Sequence, residues 1–172
     1  VMFFPQLVAG PIERATNLLH QFNATKKFDG SLAADGMRQI LWGMFAKCVI
    51  ADNCAVYVNS VFGHAHSQTM GSLWLAAVLF SFQIYGDFSG YSNMALGIAK
   101  LFGFRLMQNF NVPYFSRDIA EFWRRWHISL STWFRDYLYK PLGGNKGSML
   151  QTFRNTVIIF LVSGFWHGAN WT

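Results

Sequence analysis

Residues 73–85, LWLAAVLFSFQIY, are almost entirely apolar and lie within a longer run, residues 53–86, that holds no Asp, Glu, Lys or Arg. A helix that spans a bilayer needs about 20 apolar residues. The apolar core alone falls short of that length, and residues 70–72 and Gly86 extend it. Residues 155–172, NTVIIFLVSGFWHGANWT, are uncharged as well. We read both stretches as membrane-crossing segments; the competing reading is a pair of buried core helices in a soluble protein. Composition favours the membrane. Of 172 residues 52% are hydrophobic, 18% aromatic and only 13% charged, against about 25% charged in an ordinary soluble domain. That balance excludes intrinsic disorder. The formal net charge of +6 suits either nucleic acid or an anionic membrane surface, and the low polarity selects the membrane.

Moving outward, residues 88–104 carry Gly90, Ala95, Gly97 and Ala99, small side chains that let helices approach closely in lipid. Residues 37–61 form a further helical stretch interrupted by Arg38, Lys47 and Asp52, as in a tilted or partly embedded helix. Nearer the start, Ile12, Leu18, Leu19 and Phe22 recur at helical spacing, with Pro11 suited to a first turn. Cys48 and Cys54 match no metal or redox spacing and are expected to be small buried apolar residues. The chain opens VMFFPQLVAGP without a basic leader and stops inside an uncharged run. The expectation is a fragment with no signal peptide, lacking helices at both ends.

Residues 105–147 differ from their surroundings. Arg105, Arg117, Arg124, Arg125, Arg135, Lys140 and Lys146 outnumber Asp118, Glu121 and Asp136, a net +4. Trp123, Trp126, Trp133, Tyr137 and Tyr139 are interleaved with these charges. Aromatic and basic side chains with apolar bodies and polar ends build amphipathic interfacial helices. Excess positive charge places the block on the cytoplasmic side. A nucleic-acid surface also alternates Arg with aromatics, but apolar segments flank this block on both sides, and we expect no nucleic-acid partner. Ser116 is the expected cap of the helix RDIAEFWRRW, and residues 143–147, GGNKG, a tight loop.

Several chemical motifs fail on inspection. GDFSG (residues 86–90) has the wrong order for a nucleophile elbow, and GGNKG lacks P-loop spacing. His64 and His66 read as solvated loop histidines, and no metal site is expected. Asp87 reads as the cap of a helix beginning at Phe88. His167 is different. Entering a membrane near Arg154, a helix rising about 1.5 Å per residue would carry His167 roughly 20 Å into a hydrocarbon core about 30 Å thick. An ionisable side chain at that depth marks a functional site by default. Trp166, Gly168, Ala169 and Asn170 beside it suit a cavity wall. His127 lies in the amphipathic block, one helical turn from Trp123, Arg124 and Ser131 on a continuous helix. Desolvation keeps a buried imidazole neutral and able to accept a proton near pH 7. With no Ser/His/Asp set and no partnered Cys, a lone histidine suits direct transfer of an acyl group to a hydroxyl.

The segments FFPQLVAGPI, YGDFSGYSNMALGIAKLFGF, NFNVPY, FWRRWHISLSTWFRDYLYKPLGG and WHGANWT follow one another along the chain. In order and wording they resemble the membrane-bound O-acyltransferase family, more narrowly its alginate O-acetyltransferase branch, a relative of teichoic-acid D-alanyl transferases. The resemblance covers nearly the whole chain and well under half of a complete member. It implies an all-α, polytopic membrane fold of transmembrane, re-entrant and amphipathic interfacial helices around a tunnel, of which residues 1–172 form part of a single domain. It also implies that His167 matches the family's essential histidine and His127 its second polar position. Donor and acceptor would reach His167 from opposite faces. At Asn93 the branch more often has Asp, so no charge-dependent role is carried over to that position.

The leading expectation is therefore an enzyme of the bacterial inner membrane, multi-pass, moving an acetyl group to hydroxyls of an exported polysaccharide such as alginate. His167 and His127 are its catalytic candidates; Arg124, Arg125, Trp166 and Asn170 are candidates for donor and substrate contact. Arg124 and Arg125 serve headgroup contact equally well. The co-substrate is an acyl thioester, acetyl-CoA or an acyl carrier, with no bound cofactor. Expected partners are membrane lipid, the acyl donor, the polysaccharide acceptor and periplasmic or extracellular acetyltransferase proteins. Alternatives are D-alanyl transfer to teichoic acid, a histidine-dependent transporter or proton relay, and a non-catalytic scaffold. A proton pathway would call for further buried acids or histidines on the same spans.

Overall fold

The computed structural model describes residues 3–6 and 10–168. Among them every regular element is helical, and they group into two compact units, Val1–Asn111 and Val112–Thr172.

The first unit contains α1 (Ala15–Asn23), α2 (Gly30–Met44), a π-helical segment Phe45–Ala51, α3 (Asp52–Gly63) and α4 (Met70–Leu101). Gly30–Gly63 is continuous over 34 residues and is the one described helix long and apolar enough to cross a membrane. The two stretches expected to span fare differently. Residues 73–85 belong to the 32-residue α4, whose apolar start runs on without a break past Asp87 to Lys100. The last helix begins at Met149 rather than Asn155 and ends at His167, so Gln151 and Arg154 dilute it.

Small residues set the packing of α2 against α4. A β-carbon built on Gly97 would lie 2.5 Å from the Gly36 carbonyl oxygen, and one on Gly43 2.6 Å from that of Gly90. The backbones meet where only glycine fits, as the small residues of 88–104 predicted. In the π segment hydrogen bonds reach back five residues. Lys47 sits there, with Nζ 2.7 Å from Asp52 Oδ1 and 2.6 Å from Asp87 Oδ1. Asp87 is thus a mid-helix ion-pair partner and not a cap. The cap of α4 is Thr69, which accepts the Ser72 N–H. Asn93 accepts from Gln39 Nε2 at 3.0 Å and donates to the Ser89 carbonyl at 2.8 Å. Pro11 precedes α1 instead of opening its first turn. Cys48 is exposed and Cys54 half-buried, which corrects their expected burial; both lie on the apolar 30–63 helix. His64 and His66 are exposed.

The second unit contains α5 (Ile119–Arg125), α6 (Ile128–Phe134), a π-helical segment Arg135–Tyr139 and α7 (Met149–His167). The cap of α5 is Asp118, which accepts the Glu121 N–H; Ser116 instead donates to the Pro113 carbonyl at 2.6 Å. Glu121, 7% exposed, is gripped by Arg117 and Arg125 at 3.0 and 2.6 Å. The Arg117 backbone N–H and guanidinium, with Arg125, lower its pKa to about 2. Gly143 and Gly144 adopt left-handed φ values of 99° and 59°, conformations natural to glycine. The buried Asn155 side chain donates to the Leu142 and Gly144 carbonyls at 3.1 and 3.0 Å, tying this loop to α7.

Candidate active site

The sequence FWRRWHISLS contains no Pro or Gly, and a single helix through it was expected. The structure breaks it. Helix α5 stops at Arg125, Trp126 is extended, and His127 takes a left-handed φ of 44° before α6 starts. Left-handed backbone is costly for a residue with a β-carbon, on the order of 1 kcal/mol. His127 is consequently not one turn from Trp123 and Arg124 on a common helix. Its carbonyl accepts the Ser131 N–H at 2.9 Å, and the Ser131 hydroxyl donates to the Trp126 carbonyl at 3.1 Å.

The break delivers His127 to a cavity of about 550 Å³ within the second unit, whose lining also includes His167. Trp123, Trp126, Leu130, Phe134, Ile159 and Phe160 make its walls apolar, and Ser131, Thr156, Ser163, Arg135 and Tyr139 supply polar atoms. Trp123 meets Phe160 edge-on at 5.7 Å. His127 is 8% exposed. Burial, and secondarily the nearby His167, lowers its pKa to about 4, so its imidazole is neutral at physiological pH.

His167 ends α7 and is exposed among the described residues; the strong burial expected of it falls on His127. Its Nδ1 lies 2.7 Å from the Ser163 carbonyl oxygen. A carbonyl only accepts, so Nδ1 carries the hydrogen and Nε2 of the neutral ring presents a lone pair. Trp166 packs edge-on against the His167 ring with centroids 4.8 Å apart.

The cavity therefore gathers His127 and His167. Arg124 is exposed outside its lining, Arg125 is held by Glu121, and Trp166 reaches it only through its contact with His167. Asn170 lies outside the described residues. Ser163 was not singled out from sequence, although its place four residues before His167 on a helix is the signal for a backbone contact of this kind. Arg135 and Tyr139 were read only as part of a basic, aromatic block. Among the described residues no cluster of three or more His, Cys, Asp or Glu could hold a metal.

The described residues are thus helical throughout their regular elements, include one helix long and apolar enough to cross a membrane, and bring two imidazoles to one apolar-walled cavity. The family model of the membrane-bound O-acyltransferases matches residues 1–172, and the chain belongs to that family. It is 50% identical over its full length to the "Probable alginate O-acetylase AlgI" of Azotobacter vinelandii, covering 34% of that protein. It is 45% identical over its full length to the "Peptidoglycan O-acetyltransferase" of Helicobacter pylori, covering 33%. Over 98% of its length it is 31% identical to the "Teichoic acid D-alanyltransferase" of Bacillus subtilis, covering 45%. The chain thus spans about a third of the length of the two O-acetylating relatives named first. No transporter is among these relatives.

Proposed function

We propose that the whole protein is a multi-pass O-acyltransferase of the bacterial inner membrane, and that both units described here belong to one domain built around a tunnel. It transfers acetyl from a thioester, acetyl-CoA or an acyl carrier, to hydroxyls of an exported glycan. Alginate is the favoured acceptor, given the level of identity to the relatives named for it. D-alanyl transfer ranks behind it at 31% identity. Exported acetyltransferase proteins complete the system.

The observation that carries this reading is the 2.7 Å approach of His167 Nδ1 to the Ser163 carbonyl oxygen. With Nδ1–H committed to the Ser163 carbonyl, Nε2 is the basic nitrogen and can accept a proton. The acceptor hydroxyl oxygen attacks the thioester carbonyl carbon as its proton moves to His167 Nε2. The C–S bond breaks, the new C–O ester bond forms, and the proton passes from the imidazolium to the leaving thiolate. His127, kept neutral by burial, holds and orients the acyl group without exchanging a proton. Trp166 backs the ring of His167. Asn170, Arg124 and Arg125 complete the assignment as substrate-side and membrane-side contacts, with Arg125 acting through its grip on Glu121.

General-base catalysis contributes about 10²–10⁴-fold, so His167→Ala in the intact protein loses about that factor. His167→Gln, which hydrogen-bonds but is no base near neutral pH, is nearly as inactive. The measurement is ester-bound acetyl released from isolated polymer, beside membrane blots for protein level. Polymer acetylated at close to the wild-type rate by the Gln variant would overturn the assignment.

A further inference from the structure

Beside the histidine cavity lies a second hollow of about 520 Å³, lined by Arg135, Tyr139, Lys140, Gly143, Gly144, Asn145 and Lys146. Arg135 and Tyr139 line both spaces, so the two are neighbours across a shared wall. Their chemistry differs sharply: the first is walled by indole, phenyl and aliphatic groups, the second by cations and glycine backbone. One carboxylate oxygen, Asp136 Oδ1, serves both Arg135 Nε at 3.2 Å and Lys140 Nζ at 2.7 Å. Lys146 makes no ion pair among the described residues. Three cations against one acid leave the hollow with two positive charges in excess. The floor is bare backbone: a β-carbon on Gly143 or Gly144 would come into ordinary contact with Gln151 Nε2 at 3.6 Å or Tyr139 Cε1 at 3.7 Å. Glycine is required there by the left-handed backbone, and its lack of a side chain lets a ligand approach closely. The loop is held in place from α7 by the buried Asn155 amide.

An apolar cavity with a base, joined to a cationic hollow on a glycine floor, matches a ligand that is neutral at its reacting end and anionic farther along. We propose that the hollow around Lys140 and Lys146 binds the phosphate ester on the pantetheine arm of the donor, while the thioester lies beside His127 and His167. This rests on the acyl-transfer reading above and deepens it. Coenzyme A and an acyl carrier's prosthetic group both place phosphate on that arm, and the anchor serves either. A phosphate on the donor is then read by charge-assisted contacts, and Lys146, which makes no ion pair among the described residues, is the cation most available for it.

The test uses the full-length protein in phosphatidylcholine nanodiscs, supplied with its exported acetyltransferase partners, and follows thiol release in the presence of alginate oligosaccharide. The donors are acetyl-CoA, an acyl carrier protein bearing acetyl-phosphopantetheine, and acetyl-N-acetylcysteamine, which has the thioester but no phosphate. For Lys146→Gln, the kcat/KM of the phosphate-bearing donor relative to acetyl-N-acetylcysteamine falls about 10- to 100-fold, the effect expected of one lost charge-assisted bond. Lys146→Arg restores the ratio. A ratio within about twofold of wild type, or equal loss on all donors, refutes the phosphate site. An effect that emerges only when phosphatidylglycerol is added assigns the hollow to lipid headgroups and refutes it too. If wild-type protein uses none of the three donors, the acyl-transfer reading itself falls, and this inference with it.

Discussion

Replacing Gly97 with Ala tests whether the α2–α4 contact is set by backbone proximity. The added β-carbon lies 2.5 Å from the Gly36 carbonyl oxygen, 2.6 Å from Ile40 Cγ1 and 2.9 Å from the Ile40 backbone nitrogen. A comfortable C···O contact is about 3.3 Å, so the oxygen sits roughly 0.8 Å too close. A flexible side chain could swing aside, but the Gly36 oxygen and Ile40 nitrogen belong to a helix and move only with it. Opening the crossing by 0.5–1 Å forfeits about a quarter to a half of the dispersion energy of each contact beside it. Overpacking of this kind costs about 1–3 kcal/mol. A clash with backbone belongs in the upper part of that range, about 2–3 kcal/mol, and alanine's better helix propensity returns about 1 kcal/mol, which leaves a net loss of about 1–2 kcal/mol. The assay is reversible unfolding of the full-length protein in mixed micelles. Gly71→Ala is the reference, because its β-carbon meets nothing closer than 4.0 Å and should be neutral or stabilising. If Gly97→Ala unfolds within about 0.5 kcal/mol of wild type, the helices are not held by this contact and the argument fails.

Two further outcomes follow from the second unit. Burial lowers the His127 pKa from its ordinary 6.5 to about 4, so as pH falls below 6.5 the unfolded chain takes up the proton first. Stability is complete above about pH 6.5 and declines toward pH 4 by about 1.4 kcal/mol per unit, roughly 3 kcal/mol in all. Unfolding measured from pH 7.5 to 4 shows this decline, and His127→Gln lacks that component; identical pH profiles for the two proteins would remove it. The net +4 of residues 105–147 predicts a cytoplasmic side for this block, and a Cys placed at Asn145 is then expected to escape a membrane-impermeant maleimide in intact cells. Efficient labelling from outside reverses the orientation.

Composition made the helical, membrane-bound character legible, because few charges spread over long apolar runs admit little else. The positions of breaks and pairings were less visible, for a physical reason. Gly90 and Gly97 announced a close contact on their own helix, but Gly36 and Gly43, which meet them, carry no local signal of register. Asp87 looked like a cap because an acid before an apolar helix usually is one; its use depends on Lys47, brought across by a π segment that no propensity scale marks. Sequence motifs singled out both histidines as candidates, while their meeting in one cavity lining required the backbone.

The largest departure from the sequence reading is also the most informative about the site. Nothing between Phe122 and Ser131 forbids a continuous helix, yet the chain spends a left-handed conformation on His127. Strain of that kind persists only where surrounding structure over-determines it. Here the determinants are on both sides: the Asp118 cap with the Glu121–Arg117–Arg125 cluster stabilises α5 as a short unit, and the Ser131 hydroxyl bound to the Trp126 carbonyl fixes the turn into α6. An unbroken helix would carry Trp126 and His127 around its axis by about 100° per residue, with no means of setting the imidazole independently of the indole. The break frees that choice and sets His127 in the lining that includes His167. A disagreement between local propensity and observed backbone is expected at functional positions, and in this unit it falls on the histidine that shares a cavity with the candidate base.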